Sequence, residues 1–169
     1  MRALTFHTDD CFNQLLKPMG TGTPAPVVIG ASPSFRRVED KQFVVMERAY
    51  TRTGGLETGD CVAALLRRRS NQPISTLARW IVDRRIVSFN WQAKTLIPLF
   101  QFDLATMSLR SSAVDVVQEL VSSLDDWNLS LWFAQPNGWL DDAAPVDVIA
   151  ADPMLVLQAA RAGRIIRQG

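Results

Sequence analysis

Ile86-Val-Ser-Phe-Asn-Trp91, then Gln92-Ala-Lys-Thr95, then Leu96-Ile-Pro-Leu-Phe-Gln-Phe102, is the part of the chain that carries the choice of fold class. β-Branched and aromatic residues dominate both outer runs and polar residues separate them, a pattern that predicts a β-hairpin. Pro98 has no N–H to give to a ladder, which places its strand at an edge or turns the missing donor outward. On either side the period becomes helical. Residues 37–50 place Val38, Phe43, Val44, Met46 and Ala49 among charged positions, ending near Thr53-Gly-Gly55. Thr58-Gly-Asp60 then caps a short helix with Val62, Leu65 and Leu66 and with Arg67-Arg68-Arg69 on its last turn. Pro73 or Ser75 opens a third helix over 74–85, carrying Leu77, Trp80 and Ile81. After the hairpin, Ser111 or Ser112 caps a helix with the stripe Val114, Val117, Leu120, Val121 and Leu124. Shorter helices follow at 128–134, at 146–151 behind Pro145, and from 154 to about 164 behind Asp152-Pro153. The expected fold is mainly α with one β-hairpin, an α+β domain.

Residues 17–35 hold four Pro and three Gly and read as loop, so residues 1–35 form an irregular arm. Residues 36–102 form helices plus hairpin and 103–169 a helical region, the two together making one compact domain. At 169 residues, 47% hydrophobic and 21% charged, the chain has room for one core and not for two enzymatic domains. No apolar run is long enough to span a membrane and the start lacks a signal-type apolar segment, so the expected location is cytoplasmic.

Net charge is +1, but the charges segregate. Residues 60–95 hold seven cations and two anions; residues 96–153 hold nine anions against Arg110 alone. Of the 18 cations 15 are Arg, which suits planar recognition of phosphate or carboxylate and equally reflects a GC-rich coding sequence.

Catalytic chemistry finds little to work with. A nucleophile needs a base in reach, yet the lone histidine, His7, lies near the terminus and far in sequence from Cys61. Two cysteines without CxxC spacing do not make a zinc site. Gly20-Thr-Gly22 is no phosphate loop, because Pro24 and Pro26 prevent a helix from opening behind it. The pairs Asp125-Asp126 and Asp141-Asp142 suit capping and solubility, since neighbours on a helix splay their side chains apart. Neither an enzyme nor a cofactor is expected.

Two binding readings remain. Residues 60–102 can be read as helix, turn, helix, hairpin, the order of a winged helix-turn-helix. Its third helix would offer Ser75, Thr76, Arg79, Asp83 and Arg84 to operator DNA while Arg67, Arg68 and Arg69 meet phosphate.

The second reading comes from Leu131-Trp-Phe-Ala-Gln-Pro-Asn-Gly-Trp-Leu140 and the Pro145-Val-Asp-Val-Ile149 that follows. Trp132, Pro136, Asn137, Leu140, Pro145, Val148 and Val156 stand at matching places, and over about the last 70 residues the chain resembles the toxin-binding domain of bacterial antitoxins of the Xre/MbcA/ParS group. Two departures are visible: Ala150-Ala-Asp-Pro153 stands where that group carries a Gly before its final helix, and the N-terminal domain differs. The resemblance implies a non-catalytic, mainly helical protein, often a homo-oligomer, that covers the active site of a RES-type, NAD-consuming toxin. Trp132, Phe133, Trp139 and Leu140 would then supply apolar anchors, and Asn137 would belong to the same surface. Asp141, Asp142 and Asp147 would form an acidic rim against a basic cleft.

Overall fold

The computed structural model describes residues 33–168. The hairpin forms between β2 (Phe89–Trp91) and β3 (Lys94–Pro98), and it is tighter than the sequence suggests, because Gln92-Ala93 alone makes the turn. Both turn residues have positive φ, 47° and 62°. A two-residue turn of type I′ needs that backbone, which Asn and Gly adopt at less cost.

A further strand, β1 (Leu56–Thr58), pairs with the other side of β3, so the sheet order is β1-β3-β2. This corrects the edge placement of the Pro98 strand: β3 is central. Proline is tolerated there because it occupies the last position of β3, beyond the end of β2. Continuing the β2–β3 register places Pro98 opposite Val87, and the side chain of Gln101 fills the gap. Gln101 Nε2 donates to the carbonyls of Val87 (2.9 Å) and Pro98 (2.8 Å), and the Val87 N–H donates to Oε1 at 2.7 Å. Gln101 is 1% exposed, so its amide replaces the missing peptide partner inside the core.

Two more short strands, β4 (Phe102–Asp103) and β5 (Ser108–Leu109), form a separate antiparallel ladder. Asp103 holds the loop between them, its Oδ1 accepting from the N–H groups of Ala105 and Thr106 and from the Thr106 hydroxyl. The hydrogen bonds from Thr106 come first in lowering its pKa from the ordinary carboxylate value.

The helices follow the predicted order with shifted ends. α1 (Pro33–Thr51) starts inside the stretch read as arm and stops at Gly54-Gly55, whose φ angles are 107° and 87°. A Cβ on Gly54 would stand 3.0 Å from Leu99 Cβ. α2 (Gly59–Leu66) carries the expected cap, Thr58 Oγ1 accepting from the Cys61 N–H. Arg67, Arg68 and Arg69 lie beyond its end, not on its last turn. α3 (Pro73–Val82) ends three residues early, because Arg84 takes a positive φ of 47°. α4 (Ser111–Leu120) buries Ala113, Val116, Val117 and Leu120, whereas Val114 is only half-buried. α5 (Asp126–Ala134) is capped by Asp125, which accepts from the Asn128 N–H at 2.7 Å. α6 (Pro145–Val148) is brief. α7 (Pro153–Gln168), with Asp152 accepting from the Leu155 N–H, runs past the expected stop near residue 164.

The result is a mainly helical α+β domain with two hydrophobic clusters. The larger joins Met46 and Tyr50 of α1 to Val116, Leu120, Phe133 and Val156 of the later helices. The smaller, Val62, Leu66, Leu77, Ile97 and Phe102, lies among α2, α3, β3 and β4. α1 therefore packs with the C-terminal helices. Its Tyr50 hydroxyl donates to the Ser130 carbonyl at 2.6 Å, and burial pushes the Tyr50 pKa up. Among the described residues no helix is long and apolar enough to cross a membrane.

Candidate functional site

Asn137 organises the loop between α5 and α6. Its N–H donates to the Ala143 carbonyl at 3.1 Å, and its own carbonyl accepts from the N–H groups of Leu140 (2.8 Å) and Asp142 (3.1 Å). Its side-chain oxygen accepts from the Trp139 N–H at 3.0 Å, starting a single turn of 3-10 helix over Gly138–Leu140. That turn sends two neighbouring apolar side chains in opposite directions. Leu140 is buried in the larger core, while Trp139 is 61% exposed. The next two residues, Asp141 and Asp142, are exposed and hold φ of 51° and 61°. Left-handed backbone costs a non-glycine residue about 1–2 kcal/mol, so the closed hydrogen-bond set keeps this loop in a shape it would not otherwise choose.

Several expected anchors are corrected by this geometry. Phe133 is fully buried, 4.9 Å from the Phe100 ring and 5.0 Å from that of Trp132. Leu140 is a core plug, and Trp132 is half-buried against Phe133. Neither Phe133 nor Leu140 can reach a partner without unfolding the domain. Asn137 positions the loop, its oxygen being engaged within it. Trp139, Asp141, Asp142 and Asp147 remain on the surface.

In the middle of the chain, β1-α2-α3-β2-β3 with sheet order β1-β3-β2 has the element order of a winged helix-turn-helix. The connection over residues 67–72 is longer than the tight turn of that motif. Arg67, Arg68, Arg69 and Arg79 are exposed and form no ion pair with a described residue. Ser75 is exposed, and Thr76 is half-buried with its hydroxyl 3.1 Å from that of Ser70. Ile74 and Val82 also stand exposed on α3 beside exposed Ala78.

Arg84 is not part of this face. It lies beyond α3, and its guanidinium donates to the carbonyls of Val121 (2.6 Å) and Leu124 (2.8 Å) and pairs with Asp126 at 2.9 Å. Gln118 Nε2 returns a bond to the Arg84 carbonyl. The residue is a clamp between α3 and the α4–α5 connection.

A cavity of about 560 Å³ lies where the end of α1, the residues around β4, the start of α4 and the α6–α7 junction meet. Arg52, Arg110, Ser111 and Ser112 line it beside apolar groups. None of these was a candidate from sequence, although Arg110 is conspicuous as the lone cation of residues 96–153. No group of three His, Cys, Asp or Glu that could hold a metal occurs among the described residues. Cys61 is half-buried, and His7 and Cys11 lie outside the described residues, as does most of the arm. Comparison with known proteins finds no family model, no curated protein and no solved structure that matches the chain.

Proposed function

We propose that this chain is a non-catalytic partner-binding protein of the antitoxin kind its C-terminal region resembles. Trp139 is the anchor and Asp141, Asp142 and Asp147 are the rim against a basic cleft. The observation that supports this is a single exposed tryptophan held on a loop that Asn137 closes with four hydrogen bonds. A rigid aromatic loses little freedom on docking, and such residues dominate interface energy. Under this reading the partner is a RES-type toxin, and the acidic rim raises its on-rate and keeps out acidic competitors.

The test is co-expression with such a toxin, read as growth, together with binding of the purified pair. Trp139→Ala should leave the fold intact and cost about 2–4 kcal/mol of binding, roughly a 30- to 1,000-fold loss. Leu140→Ala should instead lower stability. Full protection and unchanged affinity with Trp139→Ala would sink the proposal.

A second reading, operator binding through α3, draws on the sheet order β1-β3-β2 and the four exposed arginines. It predicts DNA affinity that falls steeply with salt, with a slope reduced by about 0.9 per phosphate contact removed. Replacing Arg67, Arg68 and Arg69 by Ala should flatten that slope, and a salt-independent affinity would rule the reading out.

A further inference from the structure

We propose that the 560 Å³ cavity binds a small amphiphilic anion, an apolar body bearing one carboxylate, at a site separate from the Trp139 loop. Its volume lies within the range of small-molecule pockets. Leu99, Phe100, Val146 and Ile149 give it apolar lining, and Leu104, 43% exposed, adds a leucine that the core does not cover. Such a surface suits a hydrocarbon or aromatic body.

The polar lining carries one sign of charge. Arg52 and Arg110 are joined by Thr53, Ser111 and Ser112, and no carboxylate lines the cavity among the described residues. Arg110 is oriented by the bond from its Nε to the Phe102 carbonyl at 3.0 Å, while its terminal nitrogens make no hydrogen bond to a described residue. Arg52 forms no ion pair with one. The first turn of α4 contributes in the same sense, having neither an acidic residue nor a side-chain cap. Asp103 feels the charge of Arg110, but its Oδ1 is tied into the Thr106 turn.

The choice of a single carboxylate follows from the surroundings. Residues 96–153, which supply most of the lining, hold nine anions and so disfavour a polyanion, whereas one charge can be neutralised locally by an arginine fork. The apolar lining makes a bare inorganic anion a poor occupant.

Decanoate, titrated calorimetrically into the full chain below its micelle concentration, is the probe. Decanol, decylamine, acetate and inorganic phosphate are the comparisons. Decanoate should bind one to one, at least about ten-fold tighter than any of the four. Arg110→Gln and Arg52→Gln should each weaken it several-fold; Arg52, with no ion pair to lose, guards against a folding defect at Arg110. Ala150→Trp, at an exposed lining position, should block it. Trp139→Ala should leave decanoate binding unchanged, so this site and the partner loop succeed or fail separately. Equal binding of decanol or decylamine, equal binding of phosphate, indifference to both arginine changes or to Ala150→Trp, or no binding of decanoate would each overturn the proposal.

Discussion

Gln101→Met tests the account of the sheet most directly, because methionine keeps the shape of glutamine and removes its amide. Three hydrogen bonds disappear: 2.7 Å from the Val87 N–H, 2.9 Å to the Val87 carbonyl and 2.8 Å to the Pro98 carbonyl. The partners sit beside a side chain that is 1% exposed, so water cannot take over without opening the core. A buried polar group left without a partner costs about 1–3 kcal/mol. Carbonyls tolerate loss better than an N–H does, which puts the total at roughly 3–6 kcal/mol. Against the 5–15 kcal/mol typical of a domain, that is a large fraction, and at about 4 °C per kcal/mol it lowers the melting midpoint by roughly 12–24 °C. Urea unfolding followed by tryptophan fluorescence reads the difference, with the slope unchanged if the native state keeps its extent. Gln101→Glu should be at least as damaging, since it loses the Nε2 donor and buries a charge. A loss below about 1 kcal/mol for Gln101→Met would show that the amide does not replace the strand partner.

Three further changes follow from the same geometry. Gln92→Asn with Ala93→Gly, at the two positive-φ positions of the hairpin turn, should stabilise the domain by about 1 kcal/mol, measured by urea midpoint; a loss would refute the turn assignment. Arg84→Ala should cost about 2 kcal/mol by removing the bonds to Val121 and Leu124. Arg84→Gly should recover part of that by relieving the positive φ, and equal stability of the two variants would argue against backbone strain there. Tyr50→Phe should cost about 1–2 kcal/mol at neutral pH, because the Ser130 carbonyl loses its donor. The raised Tyr50 pKa also gives a sign: above about pH 10 the unfolded chain gives up this proton and the folded one keeps it. Wild-type stability is therefore intact below that pH and falls above it, and the fall should be smaller in Tyr50→Phe; identical alkaline profiles would contradict the buried environment.

What the sequence made legible was mostly local. Thr58 and Pro73 mark helix starts through chemistry within three or four residues, and each does so in the structure, whereas the helix read from residue 128 starts at Asp126 behind its cap Asp125. β1 was not legible, because three residues are too few to show a period and the same Thr58 also reads as a cap. The place of Pro98 at the end of the central strand was hidden for a different reason. Its tolerance depends on Gln101, a polar residue inside an apolar run, and nothing in the run shows that its side chain turns back to the backbone. At the candidate loop the residue types were visible but their directions were not. Trp139 and Leu140 are adjacent and similarly apolar, and only the turn set by Asn137 decides which faces solvent. Arg84 misled for the same reason, since its left-handed backbone takes it off the helix to which spacing assigned it. The cavity is assembled from four separated segments, so no window of sequence contains it.

The bond between Tyr50 and Ser130 spans 80 residues, and that between Trp127 and Gln42 spans 85. A ribosome adding about 5–20 residues per second needs roughly 4–16 s to make that interval. Until α5 is made α1 has only part of its packing: Phe43 can stack on Trp91 and Tyr50 on Phe100, but the bonds to Ser130 and Trp127 cannot form. The nascent chain therefore carries an amphipathic helix whose apolar face is incompletely covered. Slowing translation between the codons for α1 and α5 should lengthen that interval.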